Sequence, residues 1–246
     1  MMDSFDNYNN DLEGGDGGVP MKIFNEPPEV RRGFVVKVLG QTCGMLTIAA
    51  AICGAGMVSS PETHAYLQGD GRWIFYASVI LSFSIIFSFF CSPVLLYHVP
   101  QKYISLVVFA ASIGVQCMYA TFQYTTNSII LVAGLTASTT LVLALYARYT
   151  TRDFTACGGS LMAALWLLIA FGFLQIWFHD RALQILVGCS GSLVFSLYIV
   201  MDIQLIIGGG HLKKYELDDD VLASIGLFLD IINLFLYLLS LFGEQE

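Results

Sequence analysis

Two stretches near the carboxyl end decide the architecture: SLYIVMDIQLIIGGG (196–210) and IGLFLDIINLFLYLLSLF (225–242). Each is close to wholly apolar, and each carries one acid, Asp202 in the first and Asp230 in the second. Crossing the hydrocarbon of a bilayer takes about 20 helical residues, so both stretches read as membrane spans. An ionised Asp at the centre of such a helix costs about 3 kcal/mol on insertion scales, so two of them require a partner or a water path.

Working outward, similar stretches recur along nearly the whole chain. Of its 246 residues 56% are hydrophobic and 12% charged, where a soluble domain carries about 25% charged residues. The expected spans are 34–58, 73–96, 103–123, 127–147, 158–178, 183–208 and 221–242. A backbone in lipid must satisfy its own hydrogen bonds, and the alternation of outer-membrane strands is absent, so all seven are predicted as helices. Short connections make them one bundle. The fold class is therefore an all-α polytopic membrane protein with a seven-helix transmembrane domain over 34–243. Residues 1–33, which begin MMDSFDNYNNDLEGGDGGVP, are acidic, rich in Gly and Asn and poor in apolar residues, and read as a disordered tail. The tail lacks the basic start and apolar core of a signal peptide, which leaves the first span as the expected insertion signal.

Basic residues set the orientation. With a cytosolic amino terminus, Lys22, Arg31, Arg32, Lys37, Lys102, Arg148, Arg152, Lys213 and Lys214 fall on the cytosolic side, nine of the eleven, and only Arg72 and Arg181 fall opposite. The carboxyl terminus then lies on the luminal or outer side, unless the last segment is re-entrant. The net charge of −8 comes mostly from the tail and from the run ELDDD at 216–220, and both runs read as solvated surface. The six cysteines, Cys43, Cys53, Cys91, Cys117, Cys157 and Cys189, form no CxxC pair and read as small packing residues. Gly40 and Gly44 make a GxxxG spacing suited to close helix contact.

The two acids are expected to meet. Asp202 lies six residues before the glycine turn at 208–210, about 9 Å of helix, and Asp230 lies roughly 12 Å into the next span. The two helices are antiparallel neighbours, so the carboxyls reach a similar depth in the cytosolic half. Gly226, Asp230, Asn233 and Tyr237 share one face of the last helix, and Tyr198 stands one turn from Asp202. Two carboxyls facing each other in a low-dielectric site cannot both ionise cheaply and titrate in two coupled steps. Such a pair is a proton sensor. Fully ionised, it offers hard oxygen ligands to a passing Ca²⁺, and protonation weakens that attraction. The bland alternative is a hydrogen-bonded pair that only locks helix packing.

Enzyme readings fare worse. Intramembrane aspartyl proteases pair YD with GxGD and a later Pro-Ala-Leu, but Asp202 follows Met201, Asp230 follows LFL, and no proline occurs after Pro100. GCSG at 188–191 resembles a rhomboid-type nucleophile motif with Ser190 as nucleophile. A serine needs a base within reach, yet His64, His98, His179 and His211 all fall in expected loops. No P-loop, dinucleotide fingerprint, zinc pattern or terminal retrieval signal occurs. No catalytic residue and no cofactor is expected, and nothing suggests nucleic acid as a partner.

EVRRGFVVKVLGQTCGMLTIA (29–49), LYARYTTRDFTACGGSL (145–161), MDIQLIIGGG (201–210) and YELDDDVLASIGLFLDIINLFLYLL (215–239) together resemble the transmembrane Bax inhibitor motif, or lifeguard, family. The resemblance implies a bundle whose last helix is central. It also implies a cytoprotective Ca²⁺ leak of the endoplasmic reticulum or Golgi, with Asp202 and Asp230 as its pH-sensitive gating dyad. Family members commonly read YDTQ where this chain has Met201-Asp202-Ile203-Gln204, so the hydroxyls flanking the acid are missing. Relatives can close on an arginine near the second helix. This chain offers only His98 and Lys102 as a latch. The functional expectation is thus a Ca²⁺ leak, with membrane lipid, Ca²⁺ and apoptosis-regulating membrane proteins as partners. Two alternatives remain: a non-conducting scaffold contacting death regulators through its tail and the loop KKYELDDD (213–220), and a proton-coupled cation exchanger.

Overall fold

The computed structural model describes residues 28–91, 100–178, 180–208 and 219–244. Its helices are α1 (Pro28–Met57), α2 (Pro61–Gln68), α3 (Arg72–Cys91), α4 (Gln101–Thr121), α5 (Thr126–Tyr149), α6 (Gly158–Trp177), α7 (Arg181–Ile207) and α8 (Asp220–Phe242), with a 3₁₀ turn at Phe154–Cys157. Among the described residues no strand occurs, and seven helices, all but α2, are long and apolar enough to cross a membrane. The chain is an integral membrane protein.

Local chemistry sets the boundaries. Ser60 accepts from the Thr63 amide, and Pro61, having no N–H to satisfy, opens α2. Thr125 caps α5 through the Ser128 amide, and Asp180 caps α7 through the Ala182 amide. Gly208, at φ 65°, closes α7 in the left-handed conformation, and its N–H returns to the Gln204 carbonyl. α1 begins at Pro28, six residues ahead of the expected boundary, so residues 28–33 belong to the helix rather than to the tail. Residues 1–27 lie outside the described residues. α2 was not anticipated, because eight residues with little apolar character carry no span signal.

Burial is inverted relative to a soluble protein. Phe83, Leu193, Trp166 and Phe173 point outward, whereas Thr42, Ser112, Asp202, Gln204, Asp220, Ser224 and Asp230 are buried. Lipid solvates the first set and cannot hydrogen-bond the second.

α8 is the shared wall of the bundle. It packs against α7, α1, α5 and α4, while α3 rests on α4 and α6 on α7. One apolar core gathers Val132, Phe195, Ile199 and Ile206 around Leu227, Leu234 and Leu239 of α8. The other gathers Met45, Ala49, Leu106 and Phe109 around Val221, Ile225 and Phe228, with the Phe109 and Phe228 rings edge to face at 6.2 Å. At its far end the Thr125 amide donates to the Glu244 carbonyl at 2.9 Å, and the Glu244 amide to Ser128 Oγ at 3.1 Å. α8 therefore runs unbroken from the end of the bundle that holds the start of α4 to the end that holds the start of α5. Its 23 residues reach about 35 Å, and the re-entrant alternative does not hold.

Close helix contact is made by residues other than the expected GxxxG pair. A Cβ at Gly40 or Gly44 would meet nothing within 4 Å, whereas one at Gly114 of α4 would stand 2.9 Å from the Ala49 Cα of α1. Gly114→Val should therefore lower the thermal midpoint in detergent by an amount equivalent to about 1–3 kcal/mol of overpacking. Gly134→Ala, which adds a methyl to open space and replaces a helix-interior glycine, should not lower the midpoint and should raise it by at most the equivalent of about 1 kcal/mol, and paired melting curves of the two variants would read the difference.

Candidate functional site

α7 and α8 form the tightest antiparallel pair in the bundle because small residues on one meet large ones on the other. Gly191 lies beneath the Tyr237 ring and Gly188 beneath Leu241, each leaving no room for a Cβ. This contact continues toward the opposite end, where Asp202 and Asp230 come within hydrogen-bonding reach of each other. Asp202 is 6% exposed and Asp230 8%.

Rotation of α7 is set from its other side by Gln204. Its amide donates to the Arg152 carbonyl at 2.8 Å, and its oxygen accepts from the Phe154 amide at 2.8 Å. Residues two apart on a helix point about 200° from each other. Holding Gln204 onto the 150–157 segment therefore turns Asp202 toward α8. Ile203, beside Asp202, is buried in the apolar core.

The pair has little support from its neighbours. Asp230 Oδ2 and the Tyr198 hydroxyl are buried without a hydrogen-bond partner, although Tyr198 stands close enough to feel both carboxyls. A hydrogen bond between two carboxyls exists only while one of them holds a proton, so full ionisation removes it and sets two like charges side by side. Asn233, expected on the same face, donates instead to the Leu229 carbonyl of its own helix at 2.8 Å. Tyr237 stacks on Phe195 at 5.6 Å. The supporting face therefore reduces to Tyr198 near the acids and an aromatic stack beyond them. Among the described residues no group of three or more acidic, His or Cys side chains gathers. Ca²⁺ takes six to eight oxygens, more than two carboxyls supply.

Ser190 spends its hydroxyl on the Leu186 and Val187 carbonyls at 2.7 and 3.2 Å, a packing role. His98 lies outside the described residues. Lys102 is not beside the dyad: its ammonium, buried, sits 3.3 Å from Asp220, and Asp220 is about 15 Å along α8 from Asp230.

Asp220 is the residue that sequence reasoning misplaced. Read as part of a solvated acidic run, it is 1% exposed. Lys37 of α1 reaches it at 2.9 Å, Lys102 of α4 at 3.3 Å and Gln41 at 2.8 Å, while Ser224 donates to Gln41 at 2.6 Å. The amino-terminal end of α8 further favours an anion in its first turn. One signal was available: Lys37 and Gln41 are polar, lie one turn apart within an otherwise apolar span, and so share a face that needs a partner.

With this geometry in place, comparison with known proteins is informative. The family model described as inhibitor of apoptosis-promoting Bax1 matches residues 31–246. The chain belongs to this family. Among its relatives, Protein LIFEGUARD 4 of Arabidopsis thaliana is 29% identical over 96% of each chain, and Protein LIFEGUARD 3 of the same plant is 30% identical over 88% of this chain and 86% of its own. A vaccinia virus protein (strain Lister) named Golgi anti-apoptotic protein is 31% identical over 86% of this chain and 85% of its own. The Bax1-inhibitor family thus includes relatives named for opposing cell death.

The Asp220 cluster can be tested by stability. Asp220→Asn strands a buried ammonium at Lys102 and should cost about 3–5 kcal/mol. Lys37→Met, which removes a side chain 39% exposed, should cost less than about 1 kcal/mol. Lys102→Met introduced into Asp220→Asn should recover most of the loss, as read from melting curves of the purified proteins.

Proposed function

We propose that this protein is a proton-regulated Ca²⁺ leak in an endoplasmic reticulum or Golgi membrane, gated by Asp202 and Asp230, and that draining stored Ca²⁺ is how it opposes cell death. The observation that carries the reading is a buried carboxyl pair between the last two spans with a free acceptor oxygen and no cation bound to it among the described residues. Lysines are present in the same bundle, yet both engage Asp220. A pair left without a cation answers to protons and to ions that pass.

The excess of Lys and Arg on one side of the spans supports a cytosolic amino terminus. The anti-apoptotic name of the vaccinia relative supports the outcome for the cell, and its Golgi label supports an endomembrane location. Membrane lipid and Ca²⁺ are then the immediate partners, with apoptosis-regulating membrane proteins acting downstream. Lys102 and Lys37 hold the end of α8 through Asp220 and leave the dyad to its own charge.

The sign of the pH effect follows from charge. Raising the pH removes the shared proton, and the ionised pair attracts Ca²⁺; lowering it restores the proton and weakens that attraction. The titratable group facing the pair is Tyr198 from α7, with Tyr237 further along α8. In proteoliposomes the wild-type Ca²⁺ flux should rise several-fold between about pH 6 and about pH 8. Asp202→Asn and Asp230→Asn keep the size of the side chain and should each flatten that rise. An unchanged pH profile in both variants would reject the gate, absence of any Ca²⁺ permeability would leave a scaffold, and H⁺ counterflow measured beside Ca²⁺ would identify an exchanger.

A further inference from the structure

α1 and α4 come together where each is nearly bare. Gly114 faces the Ala49 backbone, and further along Gly56 faces Met118. Contacts that ascend together in both segments mean the helices run parallel, and the two contacts bracket Cys53 on α1 and Cys117 on α4. At this crossing the Cys53 thiol donates to the Gly114 carbonyl at 3.6 Å, and Gly114 lies three residues, just under one helical turn, before Cys117 on α4, which sets the two thiols beside each other across the crossing. The other four cysteines, Cys43, Cys91, Cys157 and Cys189, are exposed on the outside of the bundle. Two thiols brought side by side by helix packing are placed for a covalent bond, because side chains in a packed helix interface keep one mutual arrangement.

We propose that Cys53 and Cys117 are a site of reversible disulfide formation that staples α1 to α4, with a low-molecular-weight disulfide as oxidant. Cys53, the more accessible of the two, lies four residues before the end of α1 at Met57, and Cys117 lies four before the end of α4 at Thr121. Both are thus near one mouth of the bundle. The Cys53 thiolate attacks the oxidant's disulfide, forming a mixed disulfide and releasing one thiolate. The Cys117 thiolate then attacks the Cys53 sulfur, forming the internal bond and releasing the second thiolate. Two protein thiols are oxidised, one disulfide is reduced to two thiols, and the two protons of Cys53 and Cys117 pass to the released thiolates.

The bond closes a loop containing α2 and α3. It restricts the unfolded chain more than the native one, where the α1–α4 crossing already brings the two thiols together, so oxidation should stabilise the bundle. With the orientation proposed above, this mouth faces the organelle lumen, where such bonds persist. The pairing itself rests on the α1–α4 crossing and stands without the ion-conduction reading.

The test uses the full chain in lipid nanodiscs, incubated with oxidised glutathione, alkylated and digested without reductant. Mass spectrometry should find the Cys53 and Cys117 peptides joined, and the thermal midpoint should rise by several degrees and fall back on reduction. Cys53→Ser and Cys117→Ser should each abolish both effects. The peptide mapping is done on the unaltered chain and so does not depend on either variant folding. If Cys53 and Cys117 stay alkylatable while exposed Cys43 or Cys189 is glutathionylated, or if glutathione stays on Cys53 without transfer to Cys117, the proposal is overturned.

Discussion

Lipid offers no hydrogen bond, so each polar side chain in a span must be answered by the chain itself. Most of this architecture follows from that constraint. Serines and threonines turn back onto carbonyls of their own helices, as Thr42, Thr136, Ser112 and Ser196 do. Gln204 finds a backbone segment, and Asp220 finds two ammonium groups. The polar residues that no helix can satisfy alone decide which helices must be neighbours, and α8 carries the most demanding of them. A helix bearing Asp220, Ser224 and Asp230 on buried faces cannot lie at the periphery.

The two acids of α8 are answered in opposite ways. Asp220 is compensated by fixed positive charge. Its partners come from α1 and α4, so the first turn of α8 is pinned to both. Among the described residues Asp230 is met by another acid and by no basic side chain, and one of its oxygens has no hydrogen-bond partner. A charge held by lysine is indifferent to the proton supply near neutrality, whereas a carboxyl held by a carboxyl depends on it. The difference lies in the neighbouring helices: α1 and α4 bring cations to the end of the bundle, and α7 brings an acid deeper in.

Much of this was legible in the sequence, for a physical reason. Spans are read from composition summed over about 20 residues, and that sum is large, so all seven appear; most ends fall within about three residues of the expected ones, α1 starts six residues early, and the expected end of the second span, 92–96, lies outside the described residues. The meeting of Asp202 and Asp230 was legible because both lie at similar distances from one short connection, and antiparallel neighbours convert distance along the chain into depth. The Asp220 cluster was not. An acid at the edge of a span faces either water or the bundle, and which it does depends on Lys37 and Lys102, which are remote in sequence. The α1–α4 crossing was hidden for the same reason: Gly40 and Gly44 have the familiar spacing, but Gly114, with no such motif, meets Ala49. Spacing within one helix says nothing about which face a second helix will choose.

The two ends of α8 bear on what ionisation in its middle can do. At one end Asp220 is tied to α1 and α4; at the other Glu244 is tied by backbone hydrogen bonds to the start of α5. In the gate proposed above, removing a proton shared by Asp202 and Asp230 would create repulsion between α7 and α8 at a point where the Tyr198 hydroxyl is buried without a hydrogen-bond partner. α8, fixed at both ends and packed on four helices, is the stiffer partner. α7 is held by α5, α6 and the Gln204 clamp. The strain of that proposed step would therefore fall on the α7 side, and Gln204, two residues from Asp202, is the contact that joins α7 there to the 150–157 segment.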